Sequence, residues 1–319
     1  MRSRPPVACP TLRALIVTNM YPSPQRPALG SFVRDQVEAL RRIPEVQLEV
    51  FAFDPGGAGA YVRGARGLRR RHGRDRFDVV HAHFGLSAWP AFAAAARARA
   101  VTLHGTDLAH PRSRLITVAA LPLLDLVATV SEPLASTVPS WAARHRMAVL
   151  PCGVDVRRFR PIARAEARRA LGLDPDGPYL LFPSDPSRSE KRYDRAQAVA
   201  GDVPLLTLGG IDPAAVALWV NAANAVLVPS EREGFGLAVL EALACDVPVL
   251  ATPVGIHPEA LAGVAGTHCG PFDAETWREA VAPALAAADP RIEGRERAER
   301  YSTDVMAARV VEAWRGLLR

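Results

Sequence analysis

Lysine is almost absent from this chain. Of its 39 lysines and arginines only Lys191 is a lysine, so every other positive charge is a guanidinium, and the one place that keeps an ammonium asks for a compact, strongly hydrated point charge. Cysteine is scarce as well. Cys9, Cys152, Cys245 and Cys269 share no C-x-x-C spacing, which argues against a zinc cage or a disulfide framework and fits a reducing cytoplasm. Aromatic residues are 6% of the chain, they do not interleave with arginines, and no zinc-finger or RNP pattern occurs, which argues against a nucleic-acid partner. No apolar run approaches the roughly 20 residues of a spanning helix. The early run LRALIV is too short and interrupted for an export signal and reads as a first strand. There is no internal repeat.

What is present is a basic, globular chain of 319 residues with net charge +6. Its length favours two domains of about 150 residues each, and its charge favours an anionic partner. Short apolar runs alternate with helical patterns throughout, the signature of parallel sheets covered by helices. Strands are predicted at LRALIVT, VQLEVFAF, FDVVHAH, AVTLHG, LVATVS and MAVLPCG, then at YLLFPS, VPLLTLG, AVLVPS and VPVLATP. The two sets part near LPCGVDVRRFRPI, residues 150–162. This predicts an α/β fold of two doubly wound Rossmann-like domains, residues 1–155 and 156–300, facing a cleft that holds the ligand. Residues 301–319 read as an amphipathic helix with a Thr/Asp start.

The run RGARGLRRRHGRDR, residues 63–76, carries seven arginines, Arg63 to Arg76, with Tyr61, Ala65 and Leu68 at helical spacing. It is either a solvated helix face or a basic amphipathic helix for an anionic membrane surface. The Asp174-Pro-Asp176 triplet lies in a Pro/Gly turn and is read as a turn.

The densest signal lies in VLVPSEREGFGLAVLEALACDVPVLATPVG. A buried strand runs into a Gly234-Phe235-Gly236 loop that opens a helix. The glycines let backbone N–H groups approach a ligand, and the helix N-terminus behind them favours an anion. Glu233 precedes the loop and Glu241 follows it; eight residues of continuous helix would place them roughly 12 Å apart, the span of an extended nucleotide-sugar.

Two glutamates at that spacing, preceded by a lysine after a strand, resemble the donor-binding signature of the family 4, retaining, GT-B glycosyltransferases. TNMYPSPQRPALGSFVRDQVEAL, DVVHAHFG, TLHGTDL and LPCGVDVRRFRP occur in that family's order, so the resemblance spans nearly the whole chain. It implies transfer of a sugar from a UDP- or GDP-sugar to a glycan, lipid or small-molecule hydroxyl, with no cofactor and no metal. It further implies that Lys191, with Arg188 or Arg192, holds the donor diphosphate together with amides of Gly30, Gly234, Phe235 and Gly236. Glu241 would bind the ribose, Glu233 the sugar hydroxyls, and His104 would stand near the reaction centre. The chain departs from the family in three places. No Gly-Arg pair stands five residues before Lys191. The segment between LLTLGG and AVLVPS leaves no room for the strand and helix often found there. Cys152 replaces the usual Asn and reads as a packing variant.

Three other readings stay open. His81, His83, His104 and Asp107 could form the metal site of a hydrolase. A GT-B nucleotide-sugar epimerase shares the architecture, and a non-catalytic nucleotide-sugar binder would share the site.

Overall fold

The computed structural model describes residues 11–142 and 146–319. Cys9 lies outside the described residues. Within them, strands β1 (Leu12–Thr18), β2 (Val46–Ala52), β3 (Arg76–His83), β4 (Ala95–Leu103), β5 (Leu126–Thr129) and β6 (Met147–Val149) form a parallel sheet in the order β2-β1-β3-β4-β5-β6. Strands β7 (Leu180–Phe182), β8 (Leu205–Thr207), β9 (Ala225–Val228), β10 (Val249–Ala251) and β11 (His268–Cys269) form a second one, ordered β11-β10-β9-β7-β8. Both sheets are doubly wound. Consecutive parallel strands return through helices, so the strand carboxyl ends and their loops gather on one edge of each sheet.

Three details differ from the sequence reading. β4 starts at Ala95, earlier than AVTLHG, because AARARAVTL alternates with period two and sends Arg97 to Asp78 and Arg99 over the ring of Phe92. β11 has two residues and no apolar run to announce it. The short segment before β9 does contain a helix, Val216–Ala222, though no strand precedes it there.

The first sheet is covered on one face by the helices Ser31–Arg41 and Thr303–Leu318. Val33, Val37 and Leu40 of the first pack with Met306, Val310 and Trp314 of the last, all buried. The C-terminal helix is capped by Ser302, whose Oγ accepts the Val305 N–H at 3.3 Å. The chain therefore ends by returning to its first sheet. The other face is covered by the helices Ala58–His72 and Pro111–Ala120. The inward stripe of the arginine-rich helix is Ala60, Gly64, Leu68 and His72, with Tyr61 and Ala65 half-buried at its flank, while all seven arginines from Arg63 to Arg76 are exposed. That apolar face is used against Phe51 and Phe53, so the arginines, together with Val62, meet solvent.

Candidate active site

Gly30 closes the loop between β1 and the helix Ser31–Arg41. Its φ of 65° is left-handed, and a Cβ there would lie 2.1 Å from the Met20 carbonyl oxygen, so no other residue fits. It stands at the mouth of Ser31–Arg41, at the end of the loop that follows β1.

Lys191 ends a short turn after β7. Its ammonium donates to both oxygens of Glu233, at 2.7 and 2.8 Å, and Ser230 Oγ donates to Glu233 Oε1 at 2.7 Å. The pair is mostly buried, with 17% and 10% of the two side chains exposed. Arg188 and Arg192 go elsewhere. Arg188 binds Glu190, and Arg192, left-handed at φ 56°, binds Asp194 and Glu231. Of the three cations, only Lys191 is brought to the glutamate.

Behind Glu233 the Gly-Phe-Gly loop turns into the helix Leu237–Ala244. The amides of Gly234, Phe235, Gly236 and Leu237 have no hydrogen-bond acceptor among the described residues. Together with the helix dipole they make a ready anion site. The Phe235 ring itself is buried in the core of the second sheet. Helix begins only at Leu237, so the spacing of Glu233 and Glu241 is set by a loop plus one turn and not by eight residues of helical rise. The Glu241 carboxyl makes no hydrogen bond among the described residues. Burial pushes its carboxyl up to about 7; Arg158 draws it down and Asp35 pushes it further up.

The first sheet meets this loop directly. Ser131, after β5, donates its hydroxyl to the Gly234 carbonyl at 2.9 Å. A Cβ on Gly234 would lie 2.0 Å from the carbonyl oxygen of His104. His104 therefore stands beside the Gly-Phe-Gly loop. Its ring packs on Phe32, centroids 4.9 Å apart, and its Nε2 lies 3.0 Å from His83 Nδ1. His83 Nε2 in turn lies 3.3 Å from the Gln36 amide nitrogen.

Three of the four candidate metal ligands, His81, His83 and Asp107, are engaged at both of their polar ends, and His104 is engaged at Nε2. His81 Nδ1 accepts from Trp314 Nε1 at 2.9 Å while its Nε2 meets Thr102 Oγ1 at 2.8 Å. Asp107 accepts the backbone N–H groups of His104, Gly105 and Gly85, holding the loop after β4. Burial raises its carboxyl above the usual range, and those amides act against the rise. No group of three or more His, Cys, Asp and Glu side chains suited to a metal occurs among the described residues. Asp174 accepts the Asp176 N–H in an exposed turn. Cys152 is buried, and its thiol is pushed up to about 12 by that burial, so it stays protonated and packs.

Several partners were not visible in the sequence. Arg158, after the hinge, pairs with Asp35 of the first helix at 3.2 and 2.5 Å, tying the linker to the Gly30 loop. Ser230 and Gln36 also went unseen. The available signal was Asp35-Gln36 on the buried side of an amphipathic helix, where polar residues need partners.

Residues 15–158 match the family described as Glycosyltransferase Family 4, and residues 185–304 that described as Glycosyl transferases group 1. The D-inositol 3-phosphate glycosyltransferase of Frankia alni is 32% identical over 60% of this chain, and the match spans 61% of that relative's length. That of Actinosynnema mirum is 30% identical over 71% of this chain and 68% of its own. Among solved structures, sucrose-phosphate synthase from Thermosynechococcus elongatus superposes with a TM-score of 0.73 at 20% identity, covering 96% of this chain and 99% of that one. Anabaena HepE in complex with UDP and glucose gives 0.68 at 14% identity, covering 96% and 100%. At these identities the structures establish the GT-B fold; the family models and the sequence relatives show that the chain belongs to glycosyltransferase family 4.

Proposed function

We propose that this chain moves a sugar from a nucleoside diphosphate sugar to an acceptor hydroxyl, retaining the anomeric configuration and using no metal. Residues 1–155 would serve the acceptor, 156–300 the donor, and 301–319 would tie the two together. The observation that carries the reading is the unbonded row of amides from Gly234 to Leu237 beside Lys191, a preorganised site for the charge that develops on a departing diphosphate. Glu241, without a partner, offers a carboxylate to the ribose diol. Glu233 offers one to the sugar hydroxyls, and Gly30 adds an amide from the opposite sheet. Glu233 is held by Lys191 and Ser230 and is poorly placed as a free nucleophile. In the step proposed, the anomeric C–O bond to the diphosphate breaks, the acceptor oxygen bonds on the same face, and its proton passes to the departing diphosphate oxygen. Arg188 and Arg192 would reach the diphosphate only by leaving their acidic partners.

The curated relatives are named for D-inositol 3-phosphate, so a phosphorylated cyclitol is the first acceptor to try. The outward arginines from Arg63 to Arg76 support peripheral contact with the anionic cytoplasmic face of a membrane; no helix among the described residues is long and apolar enough to cross one. The test is nucleotide release from UDP- and GDP-sugars with and without inositol phosphates, run with EDTA, with product configuration read by NMR. Retained configuration and EDTA resistance are expected. Loss of activity in EDTA with recovery in zinc would favour a metal enzyme, and release of an epimerised sugar would favour an epimerase.

A further inference from the structure

Three imidazoles line up through the first sheet toward the cleft. His81 and His83 stack at 5.1 Å, and His83 and His104 at 5.3 Å. His83 and His81 are fully buried, and burial keeps all three rings neutral, with His83 lowered to about 4 and the others well below their usual value. A neutral imidazole carries one proton, so each ring can donate from one nitrogen only. In a chain of such rings, fixing one end fixes the rest.

The fixed end is Gln36, whose amide nitrogen faces His83 Nε2. An amide N–H can only donate, so His83 must accept at Nε2 and carry its proton on Nδ1. That proton points at His104 Nε2, which must accept in turn. The His104 proton is thereby placed on Nδ1, which has no partner among the described residues. We propose that Gln36 is a positioning residue which, through His83, fixes His104 with Nδ1–H as a hydrogen-bond donor toward the transferred sugar. This rests on the reading that the donor sugar lies between His104 and Glu233. There a donor on one side and an acceptor carboxylate on the other would grip neighbouring hydroxyls in opposite senses, and a sugar lacking the oxygen opposite His104 would be discriminated against. His81 stands outside the chain, because Trp314 and Thr102 fix its proton independently on Nε2.

Long-range 1H–15N spectra of histidine-labelled protein read the tautomers directly, without any substrate. Nδ1–H is expected on His83 and His104, and Nε2–H on His81. Gln36→Met, close in shape but unable to donate, should leave His83 and His104 as tautomer mixtures with His81 unchanged. It should lower kcat on the order of tenfold, the scale of one hydrogen bond lost, with free nucleotide affinity intact. Gln36→Glu, which can only accept, should reverse both rings, and Gln36→Asn should recover part of the donor tautomer. An Nε2 proton on His104 in the parent protein overturns the proposal, as does a His104 tautomer indifferent to both Gln36→Met and Gln36→Glu. If no sugar nucleotide is turned over, the functional reading fails while the spectra still decide this one.

Discussion

Lys191 and Glu233 neutralise each other in the cleft, the ammonium bridging both carboxylate oxygens 42 positions along the chain from its own backbone. A donor bound as proposed needs both groups, one for its diphosphate and one for its sugar. Binding is therefore an exchange, in which phosphate oxygens draw Lys191 and free Glu233 for hydroxyls. The stored pair keeps the only lysine of the chain pre-positioned and desolvated before the substrate arrives.

From that exchange, Lys191→Ala is expected to lower turnover on the order of a hundredfold or more, the scale of losing one preorganised stabiliser of developing charge. Lys191→Arg should restore nucleotide affinity and only part of the turnover, since a planar fork, well suited to two carboxylate oxygens, does not reproduce a compact, movable point charge against the diphosphate. Steady-state kinetics beside nucleotide titration make the comparison. Parental turnover in either variant would mean that the donor site lies elsewhere.

Much of this arrangement is local and therefore readable from sequence. LRALIVT and AVLV are buried apolar runs, and they form β1 and β9 as predicted. The GFG loop, Lys191 and the Glu233/Glu241 spacing are short-range patterns with a physical meaning of their own. What stayed hidden depends on contacts between distant segments. Gln36 reaches His83 across 47 positions and Arg158 reaches Asp35 across 123, and no periodicity records such pairings. The arginine-rich helix was legible as amphipathic, but which rows faced inward was decided by Phe51 and Phe53 on β2 and just beyond it.

Glu241 gives a pH signature. Its folded value of about 7 lies above the ordinary 4.5, so the folded protein holds this proton more tightly than the unfolded chain. Its contribution to stability should therefore decline as pH rises from 4.5 to about 7 and level off above. Glu241→Gln should remove that slope, with melting temperatures across pH 5 to 8 as the measurement. Because a ribose diol donates to the carboxylate, nucleotide affinity should rise through neutral pH in the parent and be weaker and flatter in the variant. Affinity that falls with pH in the parent would refute this role for Glu241.

The exposed arginines give a second, independent measurement. Replacing Arg66, Arg69 and Arg70 by Gln leaves the inward row Ala60, Gly64, Leu68 and His72 untouched, so stability should hold within about 0.5 kcal/mol, as for ordinary surface changes. Co-sedimentation with phosphatidylserine vesicles should be reduced in the triple variant and should fade with salt in the parent, because the attraction is electrostatic and screened. A parent protein that ignores acidic vesicles leaves a solvated face and favours a soluble acceptor.

At Gly234 the loop before Leu237–Ala244 meets the loops after β4 and β5, with His104 on one side and Ser131 on the other. A side chain there would meet the His104 carbonyl oxygen at 2.0 Å, backbone against backbone, with no flexible end to yield. Gly234→Ala should therefore push the donor loop away from the loop after β4 and cost the Ser131 bond to the Gly234 carbonyl. The core of neither sheet is involved, so each should keep its secondary structure. The loss should fall on turnover, because displacing reacting groups by about 1 Å can cost on the order of a hundredfold. Ser131→Ala removes the hydrogen bond without the clash and should cost far less. Circular dichroism and kcat on both variants separate the two effects. Equal losses would show that the hydrogen bond, and not the closeness of the two backbones, holds the cleft together, and an unaffected Gly234→Ala would show that the two loops part during turnover.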